Sequence, residues 1–114
     1  MLFINAIIST TFSYNYITVP VFWVGQCAVD DSDRLLDEKT EFPGENTQAL
    51  CMEHCLAKNY SFAGVQYWRE CFCGNTAPPL SAVAPEEECD MACPGDQNQM
   101  CGGRWRMNVF QLSP

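Results

Sequence analysis

Phe62-Ala63-Gly64-Val65-Gln66-Tyr67-Trp68-Arg69-Glu70-Cys71-Phe72-Cys73-Gly74 fits two short strands and a turn into thirteen residues. Phe62 to Tyr67 carries the aromatic and β-branched residues that suit a pleated strand. Glu70 to Gly74 reads as its hairpin partner. Trp68-Arg69 sits at the turn. It is not the usual Asn-Gly pair, and a longer loop over Tyr67 to Glu70 is an equal alternative. Either loop leaves Gln66 opposite Cys71 and Gly64 opposite Cys73. Side chains alternate along a strand, so Cys71 and Cys73 face the same way, roughly 6.6 Å apart.

Upstream, Asn46 or Thr47 can cap a helix. Gln48 to Lys58 is dominated by good helix formers and contains Cys51 and Cys55. Four residues apart, these two project from one helix face, separated by about 6 Å of axial rise. Helix and strand spacings therefore match, and two disulfide rungs can form between them. The chain leaves the helix, returns along 62–67 and turns again, so strand 70–74 runs broadly parallel to the helix. That direction pairs Cys51 with Cys71 and Cys55 with Cys73. Gly64, set opposite Cys73, would leave room for the helix to approach. Cys93 and Cys101 enclose a short loop with Pro94 and Gly95, and closing it costs little entropy. Cys27 and Cys89 remain to tie the entry strand to the distal chain, a long loop worth up to about 4 kcal/mol.

Zinc is the competing use of these thiols. Cys51-x-x-x-Cys55 and Cys89-x-x-x-Cys93 have chelate-like spacing, and eight cysteines could hold two ions, with His54 as a substitute ligand. The cysteine order makes a better disulfide ladder than a pair of tetrahedral sites, so neither a metal nor a cofactor is expected.

The 114 residues are about one domain, small enough to profit from staples. An even, dense set of cysteines points to an oxidising compartment. The net charge is −8, and the six Lys and Arg are scattered. This excludes a nucleic-acid footprint and a polybasic lipid-binding patch. Residues 1–20 read as a leader or linker ending at Pro20, and 21–112 as the domain. Leu2 to Ile8 is apolar but short, with no Lys or Arg before it; Thr11 and Ser13 suit cleavage positions. It is either a weak secretion signal or a sign that the chain is a fragment. No stretch reaches the roughly 18 apolar residues of a spanning helix.

Val21 to Cys27 reads as the entry strand. Asp30-Asp31-Ser32-Asp33-Arg34 reads as a solvated turn, because the Gly and distal Glu of a calcium loop are missing. Residues 37–46 and 75–88 read as loops, the second irregular and acidic. Asn59-Tyr60-Ser61 ends the helix and is a glycosylation sequon at Asn59, with a chance match as the alternative. Arg106 to Leu112 reads as a closing strand. No internal repeat is present.

Together these segments resemble the WSC domain. The likeness lies in Val24-Gly25-Gln26-Cys27, Phe62 to Tyr67, and Glu70-Cys71-Phe72-Cys73-Gly74-Asn75. It continues in Gly95-Asp96, Gln99 and Cys101-Gly102-Gly103 before a final strand. The order and spacing of all eight cysteines fit as well. One departure is Ala28, where the family commonly has an aromatic residue. The resemblance covers roughly Phe22 to Leu112. It implies a PAN/apple-like fold: α+β, small and disulfide-rich, with a helix packed on an antiparallel sheet. It also implies the four pairings derived above. WSC domains occur in cell-wall stress sensors, Kremen-type receptors, polycystin-like proteins and some carbohydrate-active enzymes, and their usual assignment is carbohydrate binding.

Carbohydrate sites combine an aromatic face for sugar C–H groups with planar polar side chains for the hydroxyls. Trp68 lies at the hairpin tip beside Tyr67, Arg69 and Glu70; Trp105 follows Gly102-Gly103-Arg104. Asp96, Gln97, Asn98 and Gln99 form a polar loop inside the Cys93–Cys101 ring. The candidate binding residues are thus Tyr67, Trp68, Arg69, Glu70, Asp96, Asn98 and Trp105. Trp23, Phe62, Phe72 and Phe110 are expected to pack instead. Tyr67 could serve either role, and the polar loop could simply be solvated.

The expected function is an extracellular, non-catalytic module, secreted or in the ectodomain of a membrane protein, that binds glycan or polysaccharide. The alternative is a protein-interaction or structural ectodomain module of a receptor or larger secreted protein. Catalysis is disfavoured: the single histidine lies between two paired cysteines, oxidised cysteines leave no thiol nucleophile, and no G-x-S-x-G or H-E-x-x-H motif occurs. Glu86-Glu87-Glu88 reads as a solvated run. Non-reducing peptide mapping is expected to recover Cys51–Cys71 and Cys55–Cys73 peptides; a Cys51–Cys55 linkage would refute the ladder.

Overall fold

The computed structural model describes residues 11–14, 17–20 and 22–112. Strands β1 (Thr11–Tyr14) and β2 (Ile17–Pro20) pair with each other antiparallel. The apolar stretch Leu2 to Ile8, read as a leader, lies outside the described residues. Five further strands build the main sheet: β3 (Val24–Val29), β4 (Glu38–Glu41), β5 (Phe62–Gln66), β6 (Glu70–Gly74) and β9 (Arg106–Gln111). They are antiparallel in the order β3-β9-β5-β6-β4. A short hairpin, β7 (Ala92–Cys93) and β8 (Asp96–Met100), lies outside that sheet. The helix α1 (Gln48–Ala57) is the one α-helix among the described residues. The chain is therefore small, disulfide-rich and α+β.

Thr47 caps α1 by accepting the Leu50 N–H at 2.9 Å. Only Cys51 and Cys55 of the helix are fully buried. Their bonds to Cys71 and Cys73 of β6 fasten the helix across the sheet. Ala63 and Val65 join these cysteines in one core cluster, with Met52, Tyr60, Phe42 and Phe110 packed around it. Cys93–Cys101 lies in the same cluster. The opposite sheet face buries Trp23, Ala28, Leu36, Phe62, Phe72, Met107 and Val109. Cys27–Cys89 ties β3 to the segment that follows the acidic loop.

The hairpin register differs by one residue from the expected one. Val65 pairs with Cys71, Ala63 with Cys73 and Gly64 with Phe72. Both loops considered from sequence have an even number of residues. The actual loop is the odd one, Tyr67-Trp68-Arg69, and a single-residue slip moves every partner to the other face. Gly64 consequently points away from the helix. A Cβ there would run into the Met107 side chain, so the glycine makes room for Met107 and not for α1.

Three loop expectations also change, and the first is the polar loop Asp96 to Gln99, which belongs to strand β8. Residues 38–41 form the edge strand β4, an all-polar sequence with no apolar alternation to announce it. Asp30 is not solvated: it is 2% exposed and paired with Arg34. The two sheet edges are blunted differently. Glu38, Lys39 and Glu41 charge the β4 edge. On β3, Cys27 donates its N–H to the Glu86 carboxylate at 3.0 Å, and its carbonyl accepts the Ala84 N–H at 2.8 Å.

Gly102 has φ +75°, and a Cβ there would meet backbone atoms of Arg106, Val65 and Gln66 at 2.5–2.6 Å. These neighbours belong to the central strands and cannot swing aside. Gly102→Ala is expected to destabilise the fold by about 2 kcal/mol or more. Urea unfolding checks this; an unchanged midpoint would contradict the close approach.

Candidate functional site

On the sheet face away from α1, the ends of β5, β6 and β9 meet two turns and the loop after β3. Arg34, Gln66, Tyr67, Glu70, Arg104 and Trp105 line a cavity there of about 230 Å³. This is below the ~300–1,000 Å³ of ordinary small-molecule sites and leaves room for no more than a small group.

Each wall follows from local backbone. Tyr67 and Trp68 have φ 51° and 60°, Trp105 has φ 56° and Arg34 has φ 32°. Among the described residues, four of the five non-glycine residues with positive φ thus surround this site; the fifth, Asn59, ends the helix. Such conformations cost on the order of 1–3 kcal/mol each and persist only where neighbours enforce them. Here the neighbours are identifiable. The Trp68 N–H donates to Cys101 O at 2.9 Å, and Asn46 Nδ2 donates to Trp68 O at 3.0 Å. The Trp105 carbonyl accepts the Asp30 N–H at 3.0 Å.

Arg34 holds the aromatic wall. Its guanidinium lies 4.8 Å from the Trp105 ring centroid and 5.3 Å from that of Phe72, in cation–π range of both. The buried Asp30 carboxylate fixes it at 2.9 Å and also accepts the Leu35 N–H. Trp105 is nonetheless 42% exposed. Gln66, only 3% exposed, lines the cavity, and its Oε1 has no hydrogen-bond partner among the described residues. Glu70 is 3.7 Å from Lys39, whereas Arg104 has no carboxylate within ion-pair distance among the described residues.

Of the seven residues singled out from sequence, Tyr67, Glu70 and Trp105 line this cavity. Trp68 and Arg69 form an adjoining stack: the Arg69 guanidinium lies 5.0 Å from the Trp68 ring and 5.4 Å from the Tyr67 ring. Arg69 Nε sits 3.4 Å from Glu41, near enough for an ionic contact but not aligned as a hydrogen bond. Trp68 is half-buried, so Trp105 is the more open indole. Asp96 and Asn98 stand elsewhere, on β8. Asp96 accepts from the Asn98 N–H and from Gln99 Nε2, and Gln99 in turn accepts the Gln48 N–H at the start of α1. Arg34, Gln66 and Arg104 were not anticipated. Gln66 could have been found from alternation with Phe62 and Gly64; nothing local marks Arg34.

The sulfurs of Cys51, Cys55 and Cys71 lie within 4.8 Å of one another, yet each is bonded to another sulfur and offers no thiolate. His54 Nε2 is 3.3 Å from Thr40 Oγ1 and its ring packs edge-on against Phe42, away from any of the cavity residues.

The model of the WSC domain family matches residues 24–103. The chain belongs to the WSC domain family. It is 42% identical over 87 residues to the xylosyltransferase oxt of Drosophila pseudoobscura pseudoobscura, covering 75% of this chain and 10% of that protein. A WSC domain-containing protein of Arthroderma benhamiae is 34% identical over 101 residues, covering 88% of this chain and 14% of the relative. Kremen protein 2 of Homo sapiens is 37% identical over 68 residues, covering 59% and 15%. The chain thus spans about a tenth to a seventh of these relatives, and the shared part is a WSC module within longer proteins. β9, central in the sheet, lies beyond the matched segment. No helix among the described residues is long and apolar enough to cross a membrane.

Removing Arg34 strands the Asp30 carboxylate in the interior. Arg34→Met is expected to cost about 1–3 kcal/mol, moderated because Arg34 itself is partly in water. Adding Asp30→Asn should recover part of the loss, as denaturant curves of the three variants would show. Additive losses would mean that the pair does not couple.

Proposed function

We propose that this chain is an extracellular, non-catalytic WSC module that binds glycan in the Arg34–Trp105 cavity. The observation that carries this reading is the composition of that cavity. Trp105 and Tyr67 offer aromatic surface, and Gln66, Glu70 and the two arginines offer planar hydrogen-bonding groups around it. Sugar C–H faces pack on such rings, and amide, carboxylate and guanidinium groups select hydroxyls by direction.

The four disulfides support a compartment outside the cytosol, because cytosolic thiols are kept reduced. Secretion and an ectodomain position both satisfy that requirement. Residues 1–20 then act as a leader or linker. Asn59, exposed at the end of α1, takes an N-glycan on the same route. In a longer protein, including one with a transferase activity like that named for the Drosophila relative, the chain serves as the accessory module that holds the glycan-bearing target.

Glycan-array screening followed by calorimetry tests this function. Trp105→Ala and Tyr67→Ala are each expected to weaken binding about tenfold, ~1.4 kcal/mol, with disulfides and unfolding midpoint retained. Asn98→Ala, on β8, should leave affinity unchanged. Unaltered affinity in both aromatic variants would remove the site. Absence of any glycan ligand, with a protein captured instead, would favour the interaction-module alternative.

A further inference from the structure

Charge is unevenly matched around the cavity. Arg34 is balanced by Asp30 at 2.9 Å, and Glu70 faces Lys39 at 3.7 Å. Arg104 remains, exposed on the rim and without a carboxylate within ion-pair distance among the described residues. A chain of net charge −8 with only six basic residues thus places two of them on one small cavity. The hydrogen-bonding inventory leans the same way. Guanidinium groups only donate, and one bond from Arg34 to Asp30 leaves most of its donors for a ligand. At the cavity wall, buried Gln66 holds an amide oxygen with no partner among the described residues.

From this donor set we infer that the cavity selects an acidic saccharide, one whose ring carries a carboxylate or sulfate. The inference rests on the glycan-binding reading above and narrows its ligand class. The oxyanion lies against Arg104 and the free edge of Arg34, whose planar forks suit carboxylate and sulfate oxygens. The ring packs on Trp105, with Gln66 in the cavity wall beside it. Glu87, Glu88 and Asp90 line a second depression on the far side of Arg104, and Glu88 is taken by Arg106 at 2.6 Å. These acids weaken the positive field at the rim. Recognition therefore depends on short directed bonds more than on long-range attraction, and Asp90→Asn should strengthen binding.

Binding of the chain to polygalacturonate, dextran sulfate and unmodified dextran, alongside a neutral glycan panel, tests the inference. The expected result is preference for one or both anionic polymers. Arg104→Gln should lower their affinity tenfold or more, as loss of a charged hydrogen bond does. Arg104→Lys should keep part of it. Lys58→Gln, an equal charge change at the end of α1, controls for nonspecific attraction and should have no effect. The polygalacturonate and dextran sulfate arms decide between carboxylate and sulfate. Binding confined to neutral glycans, or equal losses in Arg104→Gln and Lys58→Gln, would overturn the acidic class and leave the glycan reading standing. Failure to bind any glycan would overturn both.

Discussion

The two disulfides between α1 and β6 are what the rest of the domain is built on. A ten-residue helix is marginal alone and normally depends on an apolar face for its position. This helix buries little besides Cys51 and Cys55. Covalent bonds at Cys71 and Cys73 take over the task of the missing apolar contacts. They also close short stretches of chain, with sequence separations of 20 and 18, and so restrict the unfolded state. With one sheet face occupied by sulfur, Ala63 and Val65 are the only other fully buried members of its core cluster among the described residues, and partly buried side chains such as Phe42, Met52 and Phe110 close its margin.

Fixing Cys71 and Cys73 toward the helix determines the other face as well. Strand alternation sends Phe72 and Glu70 to the side away from α1. Phe72 then lies beneath the Arg34 guanidinium, and Glu70 reaches the cavity. Gln66, paired with Glu70 in the ladder, arrives on the same side. The face that carries the cavity is thus the reverse side of the disulfide ladder. Its precision derives from strands locked at the other surface, while its aromatic groups come from turns.

The parts legible in sequence were those governed by fixed periods. Cys51 and Cys55 on a helix match Cys71 and Cys73 on a strand because both rises are invariant. Tyr67, Glu70 and Trp105 were visible as aromatic and polar residues beside turn signals. Register was not legible, because it depends on whether Gln66 stands opposite Glu70 or Cys71 across the turn, and no local preference settles that. β4 escaped notice because charged edge strands suppress the apolar alternation by which strands are recognised. Asp30 could not be told from Asp31 or Asp33 until folding placed one beneath Arg34 and left the others in water.

The strained turns give the site its character. Tyr67, Trp68, Trp105 and Arg34 occupy backbone conformations that favour glycine or asparagine, yet all are bulky. Where a turn only reverses the chain, smaller residues suffice. Here the turns place Tyr67, Trp68 and Arg34 half-buried and Trp105 exposed at one end of the sheet. Three contacts hold Trp68 and Trp105 there: Cys101 O on the Trp68 N–H, Asp30 N–H on the Trp105 carbonyl, and Asn46 on the Trp68 carbonyl. Each contact comes from a segment remote in sequence, so the aromatic wall exists only once the domain is assembled. Such a preorganised wall suits the binding role proposed above, because it would lose little freedom on meeting a ligand.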